Sequence, residues 1–169
     1  MTVSVGLLRR CFLALAVVAT AGTAVELALS RHWTSAIQLI PWYIVGGLAA
    51  GALLLMARPR PWAVRAVRVL AVVAVIGAAF GVYEHVLANY HAGPLDFRYE
   101  SKWSTMSAGS RWWAAISESV GPSPTLAPAV LAQAAACLLF ATLGHPALGS
   151  GTAANVQRTR SAAKASSNR

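Results

Sequence analysis

The outer ends of two apolar stretches carry ionisable residues that the rest of those stretches avoid: Glu26 and His32 beside the first, Glu84, His85 and His91 along the third. Carboxylate and imidazole together could hold a transition-metal ion such as zinc, copper, iron or nickel, and the same pair could relay protons. Helical spacing sorts them, because Glu84 and His91 are seven residues apart and share a face across Ala88, while His85 and Asn89 share an adjoining one. Charged groups this close to hydrocarbon cost several kcal/mol, to order of magnitude, unless they face a cavity, pair or reach water. The alternative to a site is wetting at the interface, with Glu26 paired to Arg31 and Glu84 to Arg98 or Lys102. No spacing matches an established metal motif: His-Glu-x-x-His is absent, and Glu84-His85 is only a dipeptide. Asp96, Glu100 and Glu118 could contribute from a loop, where a carboxylate is usually just solvated.

The elements that must position these groups follow from composition. With 57% hydrophobic and only 11% charged residues, the chain could not hide its apolar surface in a water-soluble fold. A hydrocarbon core of roughly 30 Å needs about 20 helical residues. Residues 11–29, 36–57 and 62–90 meet that test, and 126–143 forms a fourth span that begins near Pro124 and Pro128. None alternates as a barrel strand does, so helices are the spanning structure that remains. The expected fold class is all-α: a polytopic four-transmembrane-helix bundle over residues 1–146, with an outer loop over 91–123 and a disordered basic cytoplasmic tail over 147–169.

Ten of the 14 positive residues flank the ends that place both termini in the cytoplasm, while all five acids fall on the opposite side. The competing possibility is a cleaved secretory signal, with Arg9 and Arg10 before an apolar run and small residues at Gly22 and Ala24. The apolar run continues through Val25, Leu27 and Leu29, which favours an uncleaved span. The formal charge of +9 forms no basic helix face, so anionic lipid at the cytoplasmic face is the expected partner and nucleic acid is not. An arginine-rich, lysine-poor and alanine-rich composition points to a bacterial source and thus to the inner membrane.

Within the loop, residues 110–119 predict a short interfacial helix capped by Ser110, and Trp103, Trp112 and Trp113 are expected at the headgroup level. Gly47 with Gly51, and Gly77 with Gly81, offer stripes for close helix approach. Gln38 and Gln133 are expected to seek partners within the spans. Cys11 and Cys137 form no Cys-x-x-Cys pair and are expected as small buried side chains. His145 is expected to cap the last helix. Templates for catalysis are missing, since neither Gly-x-Ser-x-Gly nor a phosphate-cradling glycine loop occurs.

The segments Gly81-Val-Tyr-Glu-His85 with Asn89, Gly93-Pro-Leu-Asp-Phe-Arg-Tyr99, Pro124-Thr-Leu-Ala-Pro-Ala-Val-Leu-Ala-Gln133 and Gly144-His-Pro146 resemble small four-helix bacterial integral membrane proteins that are themselves uncharacterised. The resemblance covers the four spans and implies no activity. The leading expectation is an accessory or ligand-binding subunit, able to form a homo-oligomer or join a partner membrane protein, with a polar pocket at the outer mouth. A transporter or channel component, or a membrane enzyme acting on a lipid or quinone, draws on the same residues.

Overall fold

A computed structural model describes residues 4–57 and 60–149, so most of the expected basic tail lies outside the described residues. Among the described residues the chain is all helical. Helices α1 (Val5–Leu29), α2 (Ala36–Met56) and α3 (Pro61–Ala92) are each long and apolar enough to cross a membrane. Their starts carry local signals: Ser4 Oγ accepts from the Leu7 N–H, Ser35 Oγ accepts from the Gln38 N–H, and Pro61 takes a first-turn position that needs no donor. Val18, Leu53, Val69 and Ile76 are exposed on the outside of these helices. A bundle built for water would be polar there. The chain is a membrane protein.

Helix α1 runs unbroken past Gly22 and Ala24, and Thr20, Thr23 and Leu27 are buried, so the residues around the candidate cleavage site are part of the packed bundle. It begins at Val5 rather than 11, which brings Arg9 and Arg10 into the helix.

A short helix α4 (Ala108–Ile116) and a last helix α5 (Ala129–Ala141) complete the chain. Helix α5 has 13 residues, fewer than the 18 of the expected 126–143 span. Pro124 and Pro128 are the reason, since neither can donate to a helix ladder. The main chain turns there through tighter bonds, Ala127 N to Pro124 O at 3.2 Å and Ala129 N to Leu126 O at 2.9 Å. Similar turns follow the helix, with Thr142 N bonded to Leu139 O and Leu143 N to Phe140 O.

Helices α1, α2, α3 and α5 surround one core, and α2 also touches α5 across it. The seam is lined by small residues, Ala71, Ala74 and Ala78 on α3 facing Ala134 and Ala135 on α5, with Leu48 and Leu138 filling the centre. Between helices in lipid, where apolar burial drives little, such close approach supplies the contact. Both glycine stripes lie at crossings. A Cβ on Gly51 would stand 3.1 Å from Leu138 and 3.2 Å from Leu70, one on Gly77 would meet Ile44, and one on Gly81 would meet Pro128.

The end of α5 is held by arginines. Arg68 Nε donates to Thr142 Oγ1 at 2.9 Å and its NH2 group to the Thr142 carbonyl at 3.0 Å, while Arg9 donates to the Gly144 carbonyl. These cations meet the carbonyls a helix leaves orphaned at its C-terminus. His145 does not take that role: its Nδ1 accepts from the Ala147 N–H, and burial together with the charges of Arg9 and Arg68 lowers its pKa. Of the cysteines, Cys137 is half-buried but Cys11 is exposed on the outside of α1.

At the opposite end, the segment after α3 folds back on that helix instead of lying loose. Trp103, 6% exposed, packs with Val86, Ala114, Ala115 and Val120 in a second small core. Its ring is turned into the protein and not toward its surroundings, because Gly93 leaves room for the indole against the end of α3. Trp112 stacks on Tyr90 at 4.5 Å, and Trp113 is exposed. The cap of α4 is Ser107, not Ser110: Ser107 Oγ accepts from the Ser110 N–H at 3.2 Å.

Candidate functional site

Helix α1 ends in a Schellman turn, with the His32 N–H bonded to the Leu27 carbonyl at 2.9 Å and the Arg31 N–H to the Ala28 carbonyl at 3.2 Å. Arg31 occupies the left-handed position, φ 50°, that glycine usually fills. This turn carries His32 back over the bundle, and Trp42 on α2 holds it by donating its indole N–H to the His32 carbonyl at 2.8 Å. On α3, His85 Nδ1 lies 2.7 Å from the Pro124 carbonyl. A carbonyl can only accept, so Nδ1 carries the proton and, in the neutral ring, Nε2 is left as an acceptor.

These elements line a half-open cavity of about 550 Å³ at the end of the bundle where α1 and α3 finish, within the usual ligand-site range of roughly 300–1,000 Å³. Glu26, His32, Glu84 and His85 all line it. Its deeper wall is apolar, from Leu27, Ile40, Ile44, Phe80 and Leu131. His91 stands apart. It shares the Glu84 face of α3 but lies two turns farther on, exposed, with its ring edge-on to Tyr90 at 6.0 Å.

Among the described residues no three histidine, cysteine, aspartate or glutamate side chains are grouped to hold a metal ion. The expected set of Glu26, His32, Glu84, His85 and His91 is therefore not gathered into a coordination shell, and the transition-metal expectation finds no geometry here. The expected ion pairs also fail to form. The Arg98–Asp96 bridge, at 2.7 Å, is the one salt bridge among the described residues, and neither Glu26 nor Glu84 has a side-chain hydrogen bond or ion pair among them. Burial, and next the charge of His85, lower the pKa of His32 and favour its neutral ring.

Comparison with known proteins adds no assignment: no family model, no curated protein and no solved structure matches the chain.

The roles of several residues were not evident from the sequence. Asn89, fully buried, is a clamp: its Nδ2 donates to the Ser123 carbonyl at 2.7 Å and to the Ala115 carbonyl at 3.3 Å, while its Oδ1 accepts from the Ser123 N–H at 2.8 Å. Those bonds hold Pro122, Ser123 and Pro124 over the cavity. Pro41, inside α2, cannot bond the Ile37 carbonyl, and both residues line the site. A proline within an apolar span was the available signal. Gln38 is not a deep amide seeking a partner: it sits in the first turn of α2, and its Oε1 accepts from the Thr34 N–H and hydroxyl at 2.8 and 2.7 Å. The Ser35-x-x-Gln38 spacing announced such a capped start.

Glu118 is also more than a solvated loop acid. Its Oε1 accepts from the Thr125 hydroxyl and N–H, both at 2.7 Å; these bonds lower its pKa, with a smaller contribution from the charge of His85. Asp96 binds Arg98 through both carboxylate oxygens and also accepts from the Gly121 N–H at 3.4 Å. The hydrogen bonds from the Arg98 side chain and main chain hold the Asp96 carboxyl well below the usual carboxylate range. A carboxyl with a depressed folded value adds stability that is present above its unfolded value, about 3.9, and is lost as pH falls through the folded one. Lowering the pH below about 4 is therefore expected to loosen the loop that carries Trp103, as checked by its fluorescence and by amide exchange. Asp96→Asn should show that loosening already at neutral pH and lose the acid dependence. An acid profile unchanged in the variant would remove Asp96 as its origin.

Proposed function

We propose that this chain is a bacterial cytoplasmic-membrane protein of four crossing helices, with both termini in the cytoplasm and a short interfacial helix, α4, that binds a small ligand in the outer-face cavity. The single observation that carries the ligand-binding reading is the meeting of Glu26, His32, Glu84 and His85 on the wall of one cavity whose carboxylates have no partners among the described residues. Unpaired carboxylates next to hydrocarbon are costly and mark functional sites more often than structural ones.

The fourth crossing is supported by where α5 is tied. Pro124 before it bonds His85, and Thr142 after it bonds Arg68. Those anchors are 17 residues apart on α3, or about 26 Å of helix, so the α5 segment covers the same depth. Orientation rests on charge, with Arg9, Arg65 and Arg68 at one end and Glu26, Glu84 and Glu118 toward the other.

A ligand-binding or accessory role fits better than a channel. Beneath the cavity the bundle centre is packed with Leu48, Ala71, Ala74, Ala134, Ala135 and Leu138, which offer no polar path. Ala88 lines the cavity but is exposed, so Ala88→Phe should obstruct the site without disturbing the core. Mass spectrometry of small molecules released from detergent-purified protein is expected to find one that accompanies the wild type and falls at least tenfold in Ala88→Phe. Identical profiles from the two proteins would refute the binding reading. For orientation, reporters fused after Arg169 and inserted near Glu100 should respond from opposite compartments; the same response from both would overturn the topology.

A further inference from the structure

We infer that the cavity selects an organic cation: a singly charged amine, ammonium or phosphonium centre carried on an apolar body. This rests on the reading of the cavity as a binding site and adds the class of ligand.

The polar groups around the cavity are mostly acceptors or already engaged. Glu26 enters from α1 and Glu84 from α3, both without partners among the described residues. Burial favours the neutral ring of His32, and His85 is already engaged through its Nδ1–H to the Pro124 carbonyl. The Gln38 carbonyl is taken by Thr34, and the Ser30 hydroxyl donates to the Leu27 carbonyl. Among the described residues neither lysine nor arginine lines the cavity.

Charge then discriminates among ligands. An anion would add repulsion to two unbalanced carboxylates, and an uncharged apolar molecule would strip water from them without compensation. A cation supplies the missing partner. A bare metal ion is a poor match, because no three ligating side chains are grouped and the space greatly exceeds one ion's coordination shell. The remaining volume is bounded by Leu27, Ile40, Ile44 and Leu131, which suit an apolar body, and by Phe80, whose ring face attracts positive charge.

The test uses the full chain in detergent and three probes of similar shape: tetraphenylphosphonium, tetraphenylborate and uncharged triphenylphosphine oxide. Saturable binding is measured above that of protein-free micelles, and each variant is first checked for monodispersity and wild-type thermal stability. The expected result is about one phosphonium bound per chain, with no saturable binding of the borate and at least tenfold weaker binding of the oxide. Glu84→Gln should weaken phosphonium binding by about tenfold or more, and Glu26→Gln with Glu84→Gln together should abolish it. Equal saturable binding of the borate or the oxide, or full affinity in the double variant, would overturn cation selection; if Ala88→Phe still removed binding, the cavity reading would survive. Absence of saturable binding by every probe would overturn cation selection alone, leaving the cavity to the co-purification measurement above.

Discussion

Asn89→Ala is expected to destabilise the protein by about 3 kcal/mol or more and to open the end of the bundle that carries the cavity. The side chain is wholly buried and satisfies three main-chain groups at once, on Ala115 and Ser123. Alanine leaves each of them unbonded in a place where water replaces the bond poorly, and each such orphan costs about 1–3 kcal/mol. Because Ser123 and its neighbouring prolines roof the cavity, loss of the clamp should also abolish the ligand binding proposed above. Unfolding in a denaturing detergent measures the first effect, and amide exchange over 115–125 locates it. Wild-type stability in the variant would show that the clamp is not what holds the roof. Asn89→Asp is the sharper comparison, since it retains an acceptor for the Ser123 N–H but loses both donated bonds.

The second large effect belongs to the α3–α5 crossing. A Cβ on Gly81 would stand 2.9 Å from Pro128 Cβ and 3.2 Å from its Cγ, atoms of a rigid ring that cannot rotate aside. Gly81→Leu should force the helices apart and cost about 3 kcal/mol, at the upper end for overpacking. Gly77 is an instructive contrast. Its added Cβ would meet Ile44 Cδ1 at 2.6 Å, the far end of a flexible side chain, so rotation of Ile44 relieves the overlap. Gly77→Ala is therefore expected to be nearly neutral, helped by alanine's advantage of about 1 kcal/mol over glycine within a helix. Thermal unfolding of the two variants in the same detergent should separate them clearly. Equal losses would mean that the crossing does not depend on the proline.

Sequence alone determined the solvent and the three long helices able to cross a membrane, because apolar length and the edge positions of charge are local properties. It also identified both glycine stripes, since four-residue spacing puts two glycines on one helix face whatever the fold. The proline-shortened α5 was legible only in part: Pro124 and Pro128 announced a helix start, but the tighter turns around them depend on what the chain packs against.

The candidate site needed the tertiary structure. Helical spacing grouped Glu84 with His91, yet two turns of rise carry His91 beyond the cavity, and no spacing along α3 could reveal where the facing segments end. Glu26 and His32 join Glu84 only because the turn after α1 folds His32 back and α1 packs within the same bundle. The burial of Trp103 and the clamp at Asn89 follow from the loop folding onto α3, through contacts between residues up to 34 positions apart. Local spacing sets the face a side chain occupies; what stands opposite is set by long-range packing.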